Sequence, residues 1–162
     1  MAKATRRRGL IGFGVGFLAA ACGSPGPRQL VLGTETCSQC HMTLADPRFA
    51  AELVLRTGKA LPFDDPGCLA TFLTEGSVPR ERVHSLWVSD FLPPHDLLDV
   101  GEAVFLVSDG IRTPMDHRVA ALRPGPSADS LRASLGGELR SWGEVLALVR
   151  GRPARRAGGG PP

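Results

Sequence analysis

A single α+β domain is the fold this sequence predicts, and three observations predict it. Short strand-like runs stand close enough together to pair as hairpins, capped helical segments lie between them, and the regular strand–helix alternation of a doubly wound parallel sheet is missing. The chain has 162 residues, of which 43% are apolar, a size and composition that suit one domain with a real core.

The first 21 residues read as an export signal. A basic opening (Lys3, Arg6, Arg7, Arg8) leads into an apolar run from Leu10 to Ala21, and small residues stand directly before Cys22. The run is short of the roughly 20 apolar residues that span a bilayer. Ala19, Ala20 and Ala21 before Cys22 resemble a bacterial lipobox with its leucine one place early, at Leu18. Cys22 is then the expected site of lipidation, several acyl chains giving stable anchoring where one does not. The alternative is a cleaved soluble signal followed by a structural Cys22. Arg6 and Arg7 also allow a twin-arginine route, so the export pathway stays open.

Residues 22–29 carry the lipidated cysteine and a Gly/Pro spacer (GSPGPR), and residues 30–150 form the expected domain. Phe49 to Leu55 and Ala60 to Phe63, split by Gly58-Lys59, predict a hairpin. Asp64-Asp65-Pro66 supplies a cap and a first-turn proline for a helix over Gly67 to Glu75, which Gly76 ends. His84 to Phe91 alternates as a strand does, and Pro93-Pro94 breaks it. Ala103 to Val107 predicts a buried strand, Asp109-Gly110 a turn, and Val119 to Leu122 another strand. Ser127 to Leu135 and Trp142 to Val149 predict helices separated by Gly136-Gly137. The domain thus divides into two strand–strand–helix–strand-like halves without a residue-level repeat. Residues 151–162, rich in Arg, Gly and Pro, read as a disordered tail.

The formal charge of +3 misleads. The signal supplies four cations and Arg150, Arg152, Arg155 and Arg156 supply four more, and without them 11 basic face 16 acidic residues between Cys22 and Val149, a net of −5. A nucleic-acid module carries its basic patch on the fold, so that class is set aside.

With Cys22 acylated, Cys37, Cys40 and Cys68 remain, an odd number of thiols for an oxidising compartment. The run Cys37-Ser38-Gln39-Cys40-His41-Met42 supports several readings. Cys37-x-x-Cys40-His41 matches c-type haem attachment, with His41 on the iron and Met115 or Met42 opposite, but small c-type cytochromes are mostly helical. A thiol–disulfide exchange pair would sit at a helix start, and no helix is expected after Cys40. A closed zinc site from Cys37, Cys40, His41 and Cys68 lacks a second tight ligand pair. A plain Cys37–Cys40 disulfide is the bland option. Cu(I) prefers thiolate and thioether, and Cys40 and Met42, two apart, share one side of an extended segment. Met115, in Thr113-Pro114-Met115-Asp116-His117, is the expected third ligand, with Cys37, His117 and His41 as further candidates.

Cys37-x-x-Cys40-x-Met42, Phe49-Ala50-Ala51-Glu52, Phe63-Asp64-Asp65-x-Gly67-Cys68-Leu69, Pro114-Met115 and Gly136-Gly137 together resemble the NosL family of copper-binding lipoproteins. The resemblance runs from about Cys37 to Val149. It implies an α+β fold, a lipid anchor and a Cu(I) chaperone that helps mature nitrous oxide reductase in the periplasm. The implied partners are that reductase and its copper-insertion transporter complex, and the implied ligands are Cys40, Met42 and Met115. His41 and Asp116 stand where the family commonly has glycine. No nucleophile elbow, phosphate loop or H-E-x-x-H is present, so no enzyme is expected. Asp64 and Asp65 are read as helix caps.

Overall fold

The computed structural model describes residues 26–151. The expected signal, Cys22 and most of the expected tail lie outside them.

Short apolar runs of Leu, Val, Ala and Phe build the longer strands where turns bring them together. β1 (Ala51–Leu55) pairs antiparallel with β2 (Ala60–Phe63) across the Gly58 turn, Leu53 facing Leu61. α1 (Pro66–Thr74) follows, with Asp65 as its N-cap and Pro66 in its first turn. A 3-10 turn at Arg80–Arg82 leads into β3 (Val83–Ser89), which pairs with the other side of β1. β4 (Leu97–Asp99) adds an edge beyond β3, giving the antiparallel order β2-β1-β3-β4.

The second half repeats the pattern. β5 (Val104–Val107) pairs with β6 (Val119–Leu122), α2 (Pro126–Leu135) crosses, and β7 (Glu138–Arg140) returns to the other side of β5. The order β6-β5-β7 matches β2-β1-β3, each with the first strand of its half in the centre. The two strand–strand–helix–strand halves expected from the sequence are therefore both present. α3 (Trp142–Gly151) is the last element of the described residues and packs on α1.

β4 and β7 were not among the expected strands. Each is three residues long at a sheet edge, too short for a period-two pattern to show. β3 also stops at Ser89, before Phe91, whose N–H bonds instead to Ala121 in β6 and so links the two sheets.

The larger core cluster joins Phe63, Leu53, Val88 and Phe105 with Leu69 and Val145 from the helices. Cys37 and Cys68 belong to it. A smaller cluster around Phe49, Leu106, Ile111 and Leu122 lies under α2. Gly137 lets β7 reach β5: its φ is +92°, and a β-carbon there would fall 2.1 Å from the Val107 carbonyl oxygen. No helix among the described residues is long and apolar enough to cross a membrane.

Candidate metal centre

The segment before β1 folds as a small hairpin. Thr36 bridges Thr43, and Cys37 N–H donates to the Met42 carbonyl at 2.8 Å. At its tip His41 has φ of +62° and donates its N–H to the Cys37 carbonyl. Ser38 N–H ties this loop to Pro62 in β2. The strand that ends at Phe63 feeds α1, where Asp65 accepts the Cys68 N–H at 2.7 Å and fixes that cysteine in the first turn.

These two anchorages bring three sulfurs together. Cys37, Cys40 and Cys68 are free thiols, and their sulfurs all lie within 4.8 Å of one another. Cys37 and Cys68 are buried and Cys40 is half-buried, so the group opens to solvent on the Cys40 side. Their ionisation is unequal. A hydrogen bond from Cys68, with further help from backbone N–H groups against the opposing effect of burial, holds Cys37 down at about 5. Burial and the neighbouring Cys37 push Cys40 up to about 11. The bond to Cys37 and burial push Cys68 up as well. Three sulfurs this close, one of them disposed to ionise, can take a soft cation, whose binding would displace the remaining protons.

A second group shares Cys68. Ligand atoms of Asp65, Cys68 and His117 also lie within 4.8 Å of one another. Asp65 is fully buried and receives His117 Nδ1 at 2.8 Å and Met115 N–H at 3.3 Å. Burial would raise its carboxyl, but the hydrogen bond from His117 and those from Cys68 and Thr113 hold it below the ordinary carboxylate range. Asp64 beside it is no cap. It accepts the Ala45 N–H, and burial, with Asp65 and Cys37 adding to it, pushes it up to about 6.

Among the expected site residues, Cys37 and Cys40 are in the cluster, and Asp65 brings His117 and Met115 to the start of α1 beside Cys68. Met115 is half-buried and packs on the larger core cluster. Met42 is 57% exposed. The expectation that Cys40 and Met42 share one side of an extended segment is corrected: the left-handed His41 turns the chain between them. His41 is exposed at the tip of that turn, whereas Cys37 is wholly buried against Cys68, an arrangement that favours a thiol cluster over a haem attachment. Cys68 and Asp65 were missing from the expected ligand set. Cys68 was signalled by the odd thiol count, while Asp65 reads in sequence as a cap and is one, with its second oxygen turned to other use. Cys22 lies outside the described residues.

A family model named NosL matches residues 30–148. A solved structure described as the copper chaperone NosL from Shewanella denitrificans has the same fold. It aligns with a TM-score of 0.64 at 22% identity, covering 74% of this chain and 96% of that one. No curated protein matches the chain.

Proposed function

The chain belongs to the NosL family, and from that premise we propose that it is a Cu(I) metallochaperone of the cell envelope, held at the membrane by an acylated Cys22. Copper is its cargo, taken by Cys37, Cys40 and Cys68. The observation that carries the reading is the convergence of three free thiols from two separate segments at a half-open position. Thiolates are the ligands Cu(I) prefers, and a low-coordinate, partly open group suits an ion that has to be handed on. The solved relative described as a copper chaperone agrees with this chemistry. Met42, exposed two residues after Cys40, suits a transient thioether contact during transfer.

The client is nitrous oxide reductase, reached together with its copper-insertion transporter complex on the periplasmic side. The family resemblance supports this assignment, and the lipobox-like approach to Cys22 supports the anchor.

Titration of the full-length protein with Cu(I) against a coloured Cu(I) chelator tests the cargo. One ion bound per chain, with affinity lowered at least about 10-fold in each of Cys37→Ser, Cys40→Ser and Cys68→Ser, is the expected result. Wild-type affinity in all three variants would refute it. Reconstitution of copper-free reductase by the loaded protein tests the client.

A further inference from the structure

We propose that the thiol cluster is also a disulfide switch, in which metal-free Cys40 and Cys37 close into a disulfide by exchange with an external disulfide donor and have to be reopened by a dithiol before Cu(I) is taken. The inference rests on the copper reading above and adds the regulation of that site.

Three observations carry it. The sulfurs of Cys37, Cys40 and Cys68 are free thiols within 4.8 Å of one another, so a mixed disulfide formed on one of them has a second sulfur at hand. Access to them is unequal. Cys37 is 0% and Cys68 1% exposed, whereas Cys40 is half-buried, so an incoming disulfide meets Cys40 first. The backbone then selects the partner. His41 N–H donates to the Cys37 carbonyl at 3.0 Å and closes a single turn over Cys37 to Cys40, a span that suits the roughly 4.4–6.8 Å between the α-carbons of a disulfide. Cys68 is held instead on α1, its N–H bonded to Asp65 at 2.7 Å, and joining it to Cys40 would draw two separately anchored segments together.

The exchange is two successive displacements. The Cys40 sulfur attacks one sulfur of the donor disulfide, the donor S–S bond breaks, and the first donor thiol leaves with the Cys40 proton. The Cys37 sulfur then attacks Cys40 Sγ in the mixed disulfide and releases the second donor thiol with the Cys37 proton. Two electrons pass to the donor, and one disulfide is consumed as one is formed. The bridge removes two of the three sulfurs from Cu(I) and leaves Cys68 alone and buried. A bound ion engages those same sulfurs, so loaded protein resists the exchange. In an oxidising compartment the empty site closes, and a dithiol reverses both displacements.

Full-length protein, metal-free or Cu(I)-loaded, is exposed to oxidised glutathione, its remaining thiols are alkylated, and peptide masses locate the bridge. Metal-free wild type should lose alkylation at Cys37 and Cys40 and keep it at Cys68. Its Cu(I) affinity against a chelator should fall at least about 100-fold and return after dithiothreitol. Loaded protein should keep all three thiols, and metal-free Cys40→Ser should stay reduced at Cys37 and Cys68. A bridge to Cys68, oxidation of Cys40→Ser at the wild-type rate, or equal oxidation of loaded protein overturns the switch. If Cys40→Ser does not fold, the position of the bridge in the wild type decides. Reduced protein that takes Cu(I) but forms no bridge overturns this inference alone, whereas reduced protein that takes no Cu(I) overturns the copper reading itself.

Discussion

The Cys68 thiol hydrogen-bonds the sulfur of Cys37, joining the first turn of α1 to the loop before β1. This bond is the leading cause of the low position of Cys37, so the charge of the cluster depends on a residue outside the C-x-x-C run. Cys68→Ala should move the Cys37 titration upward from about 5, toward the ordinary thiol range. Thiolate absorbance of metal-free protein followed against pH measures it. An unchanged midpoint would show that the backbone N–H groups suffice.

The two methionines should separate in a melting experiment. Met42 is largely exposed, and Met42→Ala should change stability by less than about 0.5 kcal/mol. Met115 packs half-buried on the core, and Met115→Ala should cost about 1–2 kcal/mol, below the range for full burial. Denaturant unfolding of the metal-free variants decides. Equal losses would mean that Met42 packs more closely than its exposure indicates.

Glu52 is a buried carboxyl in the centre of β1, paired across the sheet with Pro62 and Trp87. Arg28 reaches it through a backbone N–H at 3.1 Å and a guanidinium nitrogen at 3.7 Å, while Glu52 Oε2 has no hydrogen-bond partner among the described residues. Burial raises its pKa above 4.5 despite Arg28. A raised carboxyl disfavours the fold in its charged form, so stability is lost as pH rises from about 4.5 through the folded value. Glu52→Gln should therefore melt above wild type at pH about 8 and lose that advantage below pH about 4. Melting curves across this range check the sign.

Gly137→Ala should be among the most damaging single changes in the second half. It combines a left-handed backbone with a β-carbon driven into the Val107 carbonyl. The expected cost is at least about 2 kcal/mol, with β7 detached from β5. Hydrogen exchange at Leu106 and Val107 would show the loss locally. The neighbouring Gly136→Ala meets no atom of the described residues within 4 Å and isolates the backbone contribution.

Much of the fold was legible because its signals are local. Asp65-Pro66 marks the start of α1, Gly58 the hairpin turn, and Val119–Leu122 matches β6 from end to end. β4 and β7 escaped because a three-residue edge strand is defined by the partner it finds. At the site, sulfur chemistry pointed to Cys37 and Cys40 from their spacing alone. Cys68 and Asp65 could be joined to them only through the β1–β2 hairpin, since residues far apart in sequence carry no mark of meeting. The extended geometry expected for Cys40 and Met42 failed at His41, whose positive φ no residue pattern announces.

The hairpin between Cys40 and Cys68 has a thermodynamic consequence. An unfolded chain offers a nearby pair of sulfurs and a remote third, so a three-sulfur chelate exists only once β1 and β2 have paired and α1 has formed. Any ion that prefers the complete chelate is therefore linked to folding. At a free concentration of about 100 times its Kd it adds about 2.7 kcal/mol to the native state, and stripping it returns that margin. Occupancy and folding are then two readings of one equilibrium, and a shift in melting temperature measures cargo without any label on the metal.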